Sequence, residues 1–148
     1  MTANVSPACL ASELIGTPYL AGGQDASGFE CWGLVRYFYR HAYGTPLKDF
    51  SHIYPRDLKA TSAQFEAAAE SIEWQQIEKP ECGCVVAMSR SKVLHHVGIW
   101  LEIDGGLCLH ALDGYAVVAQ TIGQLKQQHF SKILFFKHGQ GIQNKQPV

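Results

Sequence analysis

The sequence predicts one α+β domain in which helices come first and an antiparallel sheet follows. Helical signals occupy the chain before Glu73, and short β-rich runs separated by turn residues occupy the chain after it. These runs are Trp74 to Glu78, Gly83 to Met88, His96 to Ile103, Leu107 to Leu112, Tyr115 to Thr121 and Lys132 to Lys137. We therefore expect the N-terminal helices to pack on a C-terminal sheet of about five to six strands.

The length and charge of the chain limit its class. With 148 residues, it is long enough to bury a core without disulfides or metal. We place the domain at residues 1–137 and expect the polar residues 138–148 to form a mobile tail. The 12 basic and 13 acidic residues give a net charge of −1, so no basic field exists to attract nucleic acid or an anionic membrane. A peptide or small-molecule partner fits better.

Three observations bear on the compartment. No run approaches 18 apolar residues, so no membrane span is predicted. The N-terminus, Met1 to Leu10, lacks the basic and apolar regions of a signal peptide. The five cysteines are odd in number, which argues against a disulfide framework. We expect synthesis and folding in a reducing cytoplasm.

The sequence predicts a short helix before the central helix that is described next, and a loop and a further helix after it. Ser6 as N-cap with Pro7 at the first helical position begins a short helix that stops at Gly16. Residues 45–59 contain two prolines and mixed polarity, which predicts an ordered loop that borders a cleft. Thr61 and Gln64 have capping-box spacing, which predicts a helix to about Ser71.

The central helix is predicted to begin near Cys31. Leu34, Val35, Phe38 and Ala42 form its apolar stripe, and it is expected to run to about Tyr43 and end at Gly44. Either Ser27 and Glu30 form a capping box, or Glu30 itself is the N-cap. Both alternatives place Cys31 in the first turn.

A thiol in the first turn can serve two roles. Unpaired backbone N–H groups and the helix dipole favour thiolate over thiol, which suits a nucleophile. Core packing is the commoner role of a cysteine in an apolar helix. Gly33 favours catalysis, because a helical glycine costs about 1 kcal/mol unless another group must come close. Tyr19 either packs in the core or holds its hydroxyl near the thiol.

The partner of the thiol depends on strand parity. His96 and Gly98 share one face of their predicted strand, whereas His95 lies on the other. Asp104-Gly105 predicts a hairpin to the strand that contains His110. A two-residue loop would place His110 on the face of His95. A three-residue loop with Gly105 in the left-handed conformation pairs Gly98 with His110 and sets His110 diagonal to His96. We predict the second register, since it alone gives a nucleophile, a base and an orienting group.

Five linked segments carry a family resemblance. I-G-T-P-Y, G-G, G-F-E-C-W-G-L-V, H-V-G-I-W-L and L-H-A, in this order between Leu10 and Ala111, resemble the NlpC family of papain-like cysteine peptidases. The resemblance implies a papain-like fold and hydrolysis of peptidoglycan stem peptides, typically between D-glutamate and the diamino acid. It implies Cys31 as nucleophile, His96 as general base and His110 as the orienting residue, with no metal or cofactor. Tyr19 matches a tyrosine that lines the site.

The sequence departs from the family pattern on both sides of the thiol. Glu30 stands where the family usually has Asp, and Trp32 where it often has Ser, so both are candidate substrate or oxyanion-site residues. The Trp variant in a stand-alone domain resembles forms encoded with phage tails, which implies phage-tail proteins as partners and delivery to the cell wall in a tail. Cys82, Cys84 and His95 are conceivable metal ligands, but two thiolates one residue apart without a second pair are weak evidence for a metal site. Cys9 and Cys108 are interpreted as packing residues.

Two other functions compete with the peptidase. A papain-like site can perform acyl transfer or amidase chemistry on another substrate through the same acyl-enzyme. Alternatively, the chain is a phage-tail or wall-binding module in which Glu30 and Trp32 weaken or abolish catalysis.

Overall fold

The computed structural model describes residues 5–48, 74–91 and 94–139. Its helices are α1 (Pro7–Leu14), α2 (Cys31–Phe38), a π-helical turn (Tyr39–Tyr43) and α3 (Ile122–Gln127). Its strands are β1 (Gln24–Asp25), β2 (Gly28–Phe29), β3 (Trp74–Ile77), β4 (Val85–Ser89), β5 (His96–Leu101), β6 (Leu107–Ala111), β7 (Val117–Gln120) and β8 (Lys132–His138). The predicted helix at 61–71 and most of the predicted 45–59 loop lie outside the described residues.

The main sheet has six antiparallel strands in the order β3-β8-β4-β5-β6-β7. The predicted α+β class and all six predicted strands are therefore confirmed. The β1–β2 hairpin and α3 were not predicted. The signal for α3 was present, because Thr121 and Gln124 form a reciprocal capping box. Its six residues are too few to show a helical period.

The sheet buries side chains on both faces. One face packs on α1, α2 and the π-helical turn, with residues that include Leu14, Leu34 and Ile99 in a shared core. The opposite face forms a second cluster with Leu125 of α3 and Phe130 from the segment that follows it. Because side chains alternate along a strand, successive residues of each central strand belong to different clusters.

The first two helices begin and end near the predicted residues. Ser6 caps α1 and accepts a hydrogen bond from the Cys9 N–H at 3.2 Å. The central helix continues through the π-helical turn to Gly44, whose φ of 65° is left-handed. Buried Tyr39 in that turn donates its hydroxyl to the Gly83 carbonyl at 2.5 Å, which ties the helix to the loop before β4.

The segment after α1 continues the sheet beyond β7. The Val117 N–H donates to the Thr17 carbonyl at 2.8 Å, and the Tyr19 N–H donates to the Tyr115 carbonyl at 3.1 Å. The Leu20 N–H then donates to the Phe29 carbonyl at 3.0 Å, directly before α2. The chain around Tyr19 thus joins the sheet edge to the start of the central helix.

The C-terminal boundary differs slightly from the prediction. His138, which was assigned to the tail, is the last residue of β8 and is buried. It packs edge to face against Trp74, with ring centroids 4.8 Å apart. In the described part of the chain, no helix has the length and apolarity needed to cross a membrane.

Candidate active site

Cys31 is the first residue of α2, as predicted. The proposed capping box is wrong, because the Ser27 N–H and hydroxyl both donate to Asp25 Oδ1 in the turn between β1 and β2, at 3.0 and 2.6 Å. Glu30 occupies the N-cap position, although its side chain makes no capping hydrogen bond. The helix therefore presents its first backbone N–H groups without a side-chain cap beside the thiol.

Gly33 has the close neighbour that its place in a helix predicted. A Cβ at this position would overlap the carbonyl group of Gly23. The same carbonyl oxygen accepts the Glu30 N–H at 3.0 Å. The glycine loop is thus held against the first turn of α2, and it fixes the backbone on both sides of Cys31.

The protonation state of the thiol differs from the expectation based on helix position. Burial, followed by the neighbouring Glu30 carboxylate, raises the pKa of Cys31 to about 12. Backbone N–H groups of Val97, Trp32 and Cys31 itself act in the opposite direction and are outweighed. The helix terminus therefore does not make a free thiolate here, and Cys31 is a neutral thiol near pH 7.

The thiol lies where two central strands separate. The β5–β6 ladder runs from the pair Leu101–Leu107 to the pair Ile99–Leu109, whereas β6 continues to pair with β7 through Ala111. The Trp100 N–H donates to Cys84 on the β4 side. Because N–H groups alternate in direction along a strand, that of Val97 points to the β6 side, beyond the last β5–β6 pair. The interaction of Cys31 with this N–H places the thiol beside the first residues of β5.

The hairpin has the predicted three-residue register. Ile99 pairs with Leu109 and Trp100 with Cys108, which sets Gly98 opposite His110. Gly105 has a φ of 85°, in the left-handed region, as predicted. Asp104 also has a positive φ, of 52°, which was not predicted. The two-residue alternative is excluded.

The two histidines of the predicted triad are hydrogen bonded. His96 Nε2 and His110 Nδ1 lie 2.9 Å apart, with the ring planes at 80°. Gly98 makes this possible, because a Cβ there would lie 2.8 Å from His110 Cβ and 2.7 Å from the Leu109 oxygen. Since Nε2 of His96 is used, Nδ1 is the nitrogen left for the thiol. Among the described residues, the hydrogen bonds of Cys31 go to the backbone and not to His96.

Burial also keeps both imidazoles neutral. Burial lowers the pKa of His96 well below its ordinary value, and His110, His95 and Arg90 add to the effect. Burial likewise lowers the pKa of His110, although its hydrogen bond to Gln120 opposes the shift. The Cys31 thiol and the His96 imidazole are thus both uncharged near neutral pH.

Two residues of the site were missed from the sequence. The Phe130 ring stacks on His96, with centroids 5.4 Å apart and an interplanar angle of 12°, and Arg90 lies 4.2 Å from the Phe130 centroid. Phe130 follows α3 outside any periodic segment, so no pattern pointed to it. Gln120 Oε1 lies 2.8 Å from His110 Nε2. The alternation of side chains along β6 and β7 places Gln120 on the same face as His110, and this pattern would have identified Gln120 from the sequence.

The other predicted site residues lie near or at the start of α2. Tyr19 is partly buried against the core near the start of α2, and Glu30 is buried. Trp32 donates its indole N–H to the Lys48 carbonyl at 2.8 Å, so this donor holds the chain after the central helix. Any oxyanion contact of Trp32 would use its backbone.

The remaining cysteines differ in burial. Cys84 and Cys108 are buried in the second cluster, as packing residues. Cys9 is exposed, so its assignment to packing is wrong. Within residues 5–48, 74–91 and 94–139, no group of three His, Cys, Asp or Glu side chains could hold a metal ion.

A papain-like arrangement of helix, thiol and histidine strand defines the class of protein. Residues 16–138 match the model of the NlpC/P60 family, and the chain belongs to that family. It is 31% identical over 101 residues to Protein P54 of Enterococcus faecium, covering 68% of this chain and 16% of that protein. It is 28% identical over 116 residues to the tail tip assembly protein K of Escherichia phage N15, covering 76% of this chain and 47% of that protein.

Solved structures show the same fold. The NlpC/P60 domain of the peptidoglycan hydrolase SagA superposes with a TM-score of 0.59 at 24% identity, covering 90% of this chain and 98% of that domain. A lipoprotein-like NlpC/P60 protein of Staphylococcus aureus gives a TM-score of 0.53 at 20% identity, covering 90% of this chain and 44% of the other. The chain spans less than half the length of the two sequence relatives.

Proposed function

We propose that this protein is a cysteine peptidase that hydrolyses amide bonds in peptidoglycan stem peptides, between D-glutamate and the diamino acid. The observation that carries the proposal is the 2.9 Å hydrogen bond between His96 and His110 at the start of β5, where the Cys31 thiol meets the Val97 N–H. This geometry supports the proposal that Cys31 is the nucleophile, His96 the base and His110 the orienting group.

The reaction begins from neutral groups. His96 Nδ1 accepts the thiol proton as the sulfur attacks the scissile carbonyl carbon, and the carbonyl electron pair moves to oxygen. The backbone N–H of Cys31, at the uncapped start of α2, donates to this oxyanion. When the tetrahedral intermediate collapses, the C–N bond breaks and the leaving amine takes the proton from His96. The product is a thioester on Cys31.

Water completes the cycle by the same route. His96 removes a proton from water as its oxygen attacks the thioester carbonyl, and then returns a proton to the departing sulfur. Because the pKa of Cys31 is raised and that of His96 is lowered, proton transfer accompanies attack rather than preceding it. Glu30 strengthens this coupling, since its charge disfavours a resting thiolate.

The relatives support the substrate and the setting of this proposal. The structural neighbour SagA is described as a peptidoglycan hydrolase, and the phage N15 relative as a tail tip assembly protein. We propose that this chain acts on cell-wall peptides in association with phage-tail proteins. The negative net charge suits neither nucleic acid nor an anionic lipid surface as the partner.

Mass spectrometry of stem-peptide fragments tests the reaction. Purified peptidoglycan is incubated with the wild type, with Cys31→Ala and with the matched control Cys9→Ala, which changes an exposed cysteine. We expect new amino and carboxyl termini at the D-glutamyl bond with the wild type and the control, and none with Cys31→Ala. Circular dichroism establishes that each variant is folded. Cleavage by folded Cys31→Ala would contradict the proposal.

A wall-binding module with weak catalysis is the second candidate, and the raised pKa of the Cys31 thiol favours it. Selective alkylation separates the two within one molecule, because exposed Cys9 and Cys82 serve as internal references. A catalytic Cys31 is activated by His96 and reacts faster with a substrate-like electrophile than either reference. Slower reaction, together with undegraded but bound peptidoglycan, would favour the binding module.

A further inference from the structure

Gln120 extends the line of hydrogen bonds that begins at His96. In the β6–β7 ladder, Cys108 pairs with Gln120 and His110 pairs with Val118. Side chains of paired residues share a face, so Gln120 and His110 point to the same side and lie diagonal to each other. The contact is direct, with Gln120 Oε1 2.8 Å from His110 Nε2.

The chemistry of an amide oxygen sets the direction of every bond in this line. The oxygen only accepts, so His110 Nε2 carries a hydrogen. A neutral imidazole has one N–H, which leaves His110 Nδ1 as an acceptor. His96 Nε2 must then donate to His110 Nδ1, and His96 Nδ1 carries an unshared electron pair. That nitrogen is the one left to receive the thiol proton.

We propose that Gln120 is a positioning residue that fixes the tautomers of His110 and His96 and so keeps His96 in its basic form toward Cys31. The inference rests on the proposed function for its catalytic consequence, although the tautomers themselves can be measured without substrate. Gln120 acts through His110 and does not touch the reacting atoms.

The opposite arrangement shows why the acceptor matters. If a donor met His110 Nε2, His110 would carry its hydrogen on Nδ1 and donate to His96 Nε2. His96 would then carry its own hydrogen on Nδ1 and could not accept the thiol proton. His110 has no exposed surface, so bulk water does not readily replace the amide in setting its tautomer. The side chain at position 120 therefore determines which ring nitrogen of His110 carries the hydrogen.

Three substitutions change the hydrogen-bonding character at this position. Gln120→Glu keeps an acceptor, Gln120→Met removes it at similar length, and Gln120→Lys presents only donors. Gln127→Met, at an exposed glutamine in α3, is the matched control. Nitrogen-15 spectra of histidine-labelled protein report which ring nitrogen carries the hydrogen, and circular dichroism reports folding.

We expect the wild type, Gln120→Glu and the control to hold His96 with its hydrogen on Nε2. Gln120→Met should give a mixture of tautomers, and Gln120→Lys should reverse both rings. If Gln120→Met does not fold, the contrast between the Glu and Lys variants still decides. Unchanged tautomers in the folded Met or Lys variant would overturn the inference.

Kinetics then connect the tautomer to the reaction. We expect kcat to fall at least about tenfold in Gln120→Met with KM little changed, and less than the roughly 10⁴-fold loss known for a wrong tautomer at a catalytic histidine itself. Gln120→Glu should restore most of kcat. If the wild type does not cleave peptidoglycan, the proposed function fails while the spectra still test Gln120. If tautomers reverse without loss of kcat, the catalytic part of the inference is wrong.

Discussion

His96 and His110 share a 2.9 Å hydrogen bond although they are diagonal rather than directly opposed across β5 and β6. The residue directly opposite His110 is Gly98, whose missing side chain lets the imidazole of His110 lean toward His96. The histidine pair thus depends on the strand register together with one glycine.

Gly98→Ala should disturb this pair. The added Cβ would lie 2.7 Å from the Leu109 oxygen and 2.8 Å from His110 Cβ, so the strands must shift. We expect a loss of about 1–3 kcal/mol in the free energy of unfolding and a clear fall in kcat. Urea denaturation and peptidoglycan hydrolysis measure the two effects. Gly123→Ala, where a Cβ meets nothing closer than 3.8 Å, is the control and should retain both. Equal behaviour of the two variants would contradict this account.

Glu30→Gln should make the thiol more acidic. The Glu30 carboxylate is the second largest cause of the raised pKa of Cys31, after burial, so removing its charge lowers that pKa from about 12. Below the pKa, the thiolate fraction and therefore the alkylation rate rise at fixed pH. The pH dependence of iodoacetamide labelling at Cys31 measures this shift. Glu13→Gln, at an exposed position of α1, should leave the labelling profile unchanged. No shift in the Glu30 variant would assign the raised pKa to burial alone.

Folding stability should fall in mild acid. The pKa values of His96 and His110 are lowered in the folded protein, mainly by burial, so the unfolded chain binds more protons as the pH falls. Stability from these groups is complete above the ordinary histidine pKa of about 6.5 and is lost as the pH drops toward the lowered folded values. Thermal unfolding between pH 7.5 and 5 measures the trend. His110→Asn should flatten it relative to the wild type, whereas replacement of exposed His129 should not.

Phe130→Leu should reduce activity more than its effect on stability explains. The Phe130 ring stacks on His96 at 12°, and loss of this surface frees the imidazole to rotate away from His110. Leu125→Val provides a stability-matched comparison, because Leu125 is buried in the same cluster and has no ring to stack on His96. We expect each change to cost about 1 kcal/mol or slightly more. A similar kcat/KM for the two variants would show that the stack does not position His96.

The sequence predicted the parts of this structure that depend on local patterns. Alternation and turn residues placed the six strands, and the requirement that His96 meet His110 selected the correct hairpin register. The pKa of Cys31 could not be predicted, since burial and the direction of the Glu30 charge arise only after packing. Phe130 was missed for a related reason, because tertiary contact alone brings an irregular segment over His96. The thiol–imidazole contact and the catalytic roles stay predictions.

The hydrogen bond that joins Tyr19 to Tyr115 links the beginning of the described chain to the last third of the molecule. Contacts so distant in sequence form late in folding, because closing the intervening chain costs entropy before the contact stabilises anything. During synthesis, the segment that carries Tyr19 cannot make this contact until the ribosome has released the β7 region. A partly made chain would therefore hold Cys31 without its complete surroundings, and the proposed amide cleavage would be delayed until the domain is whole.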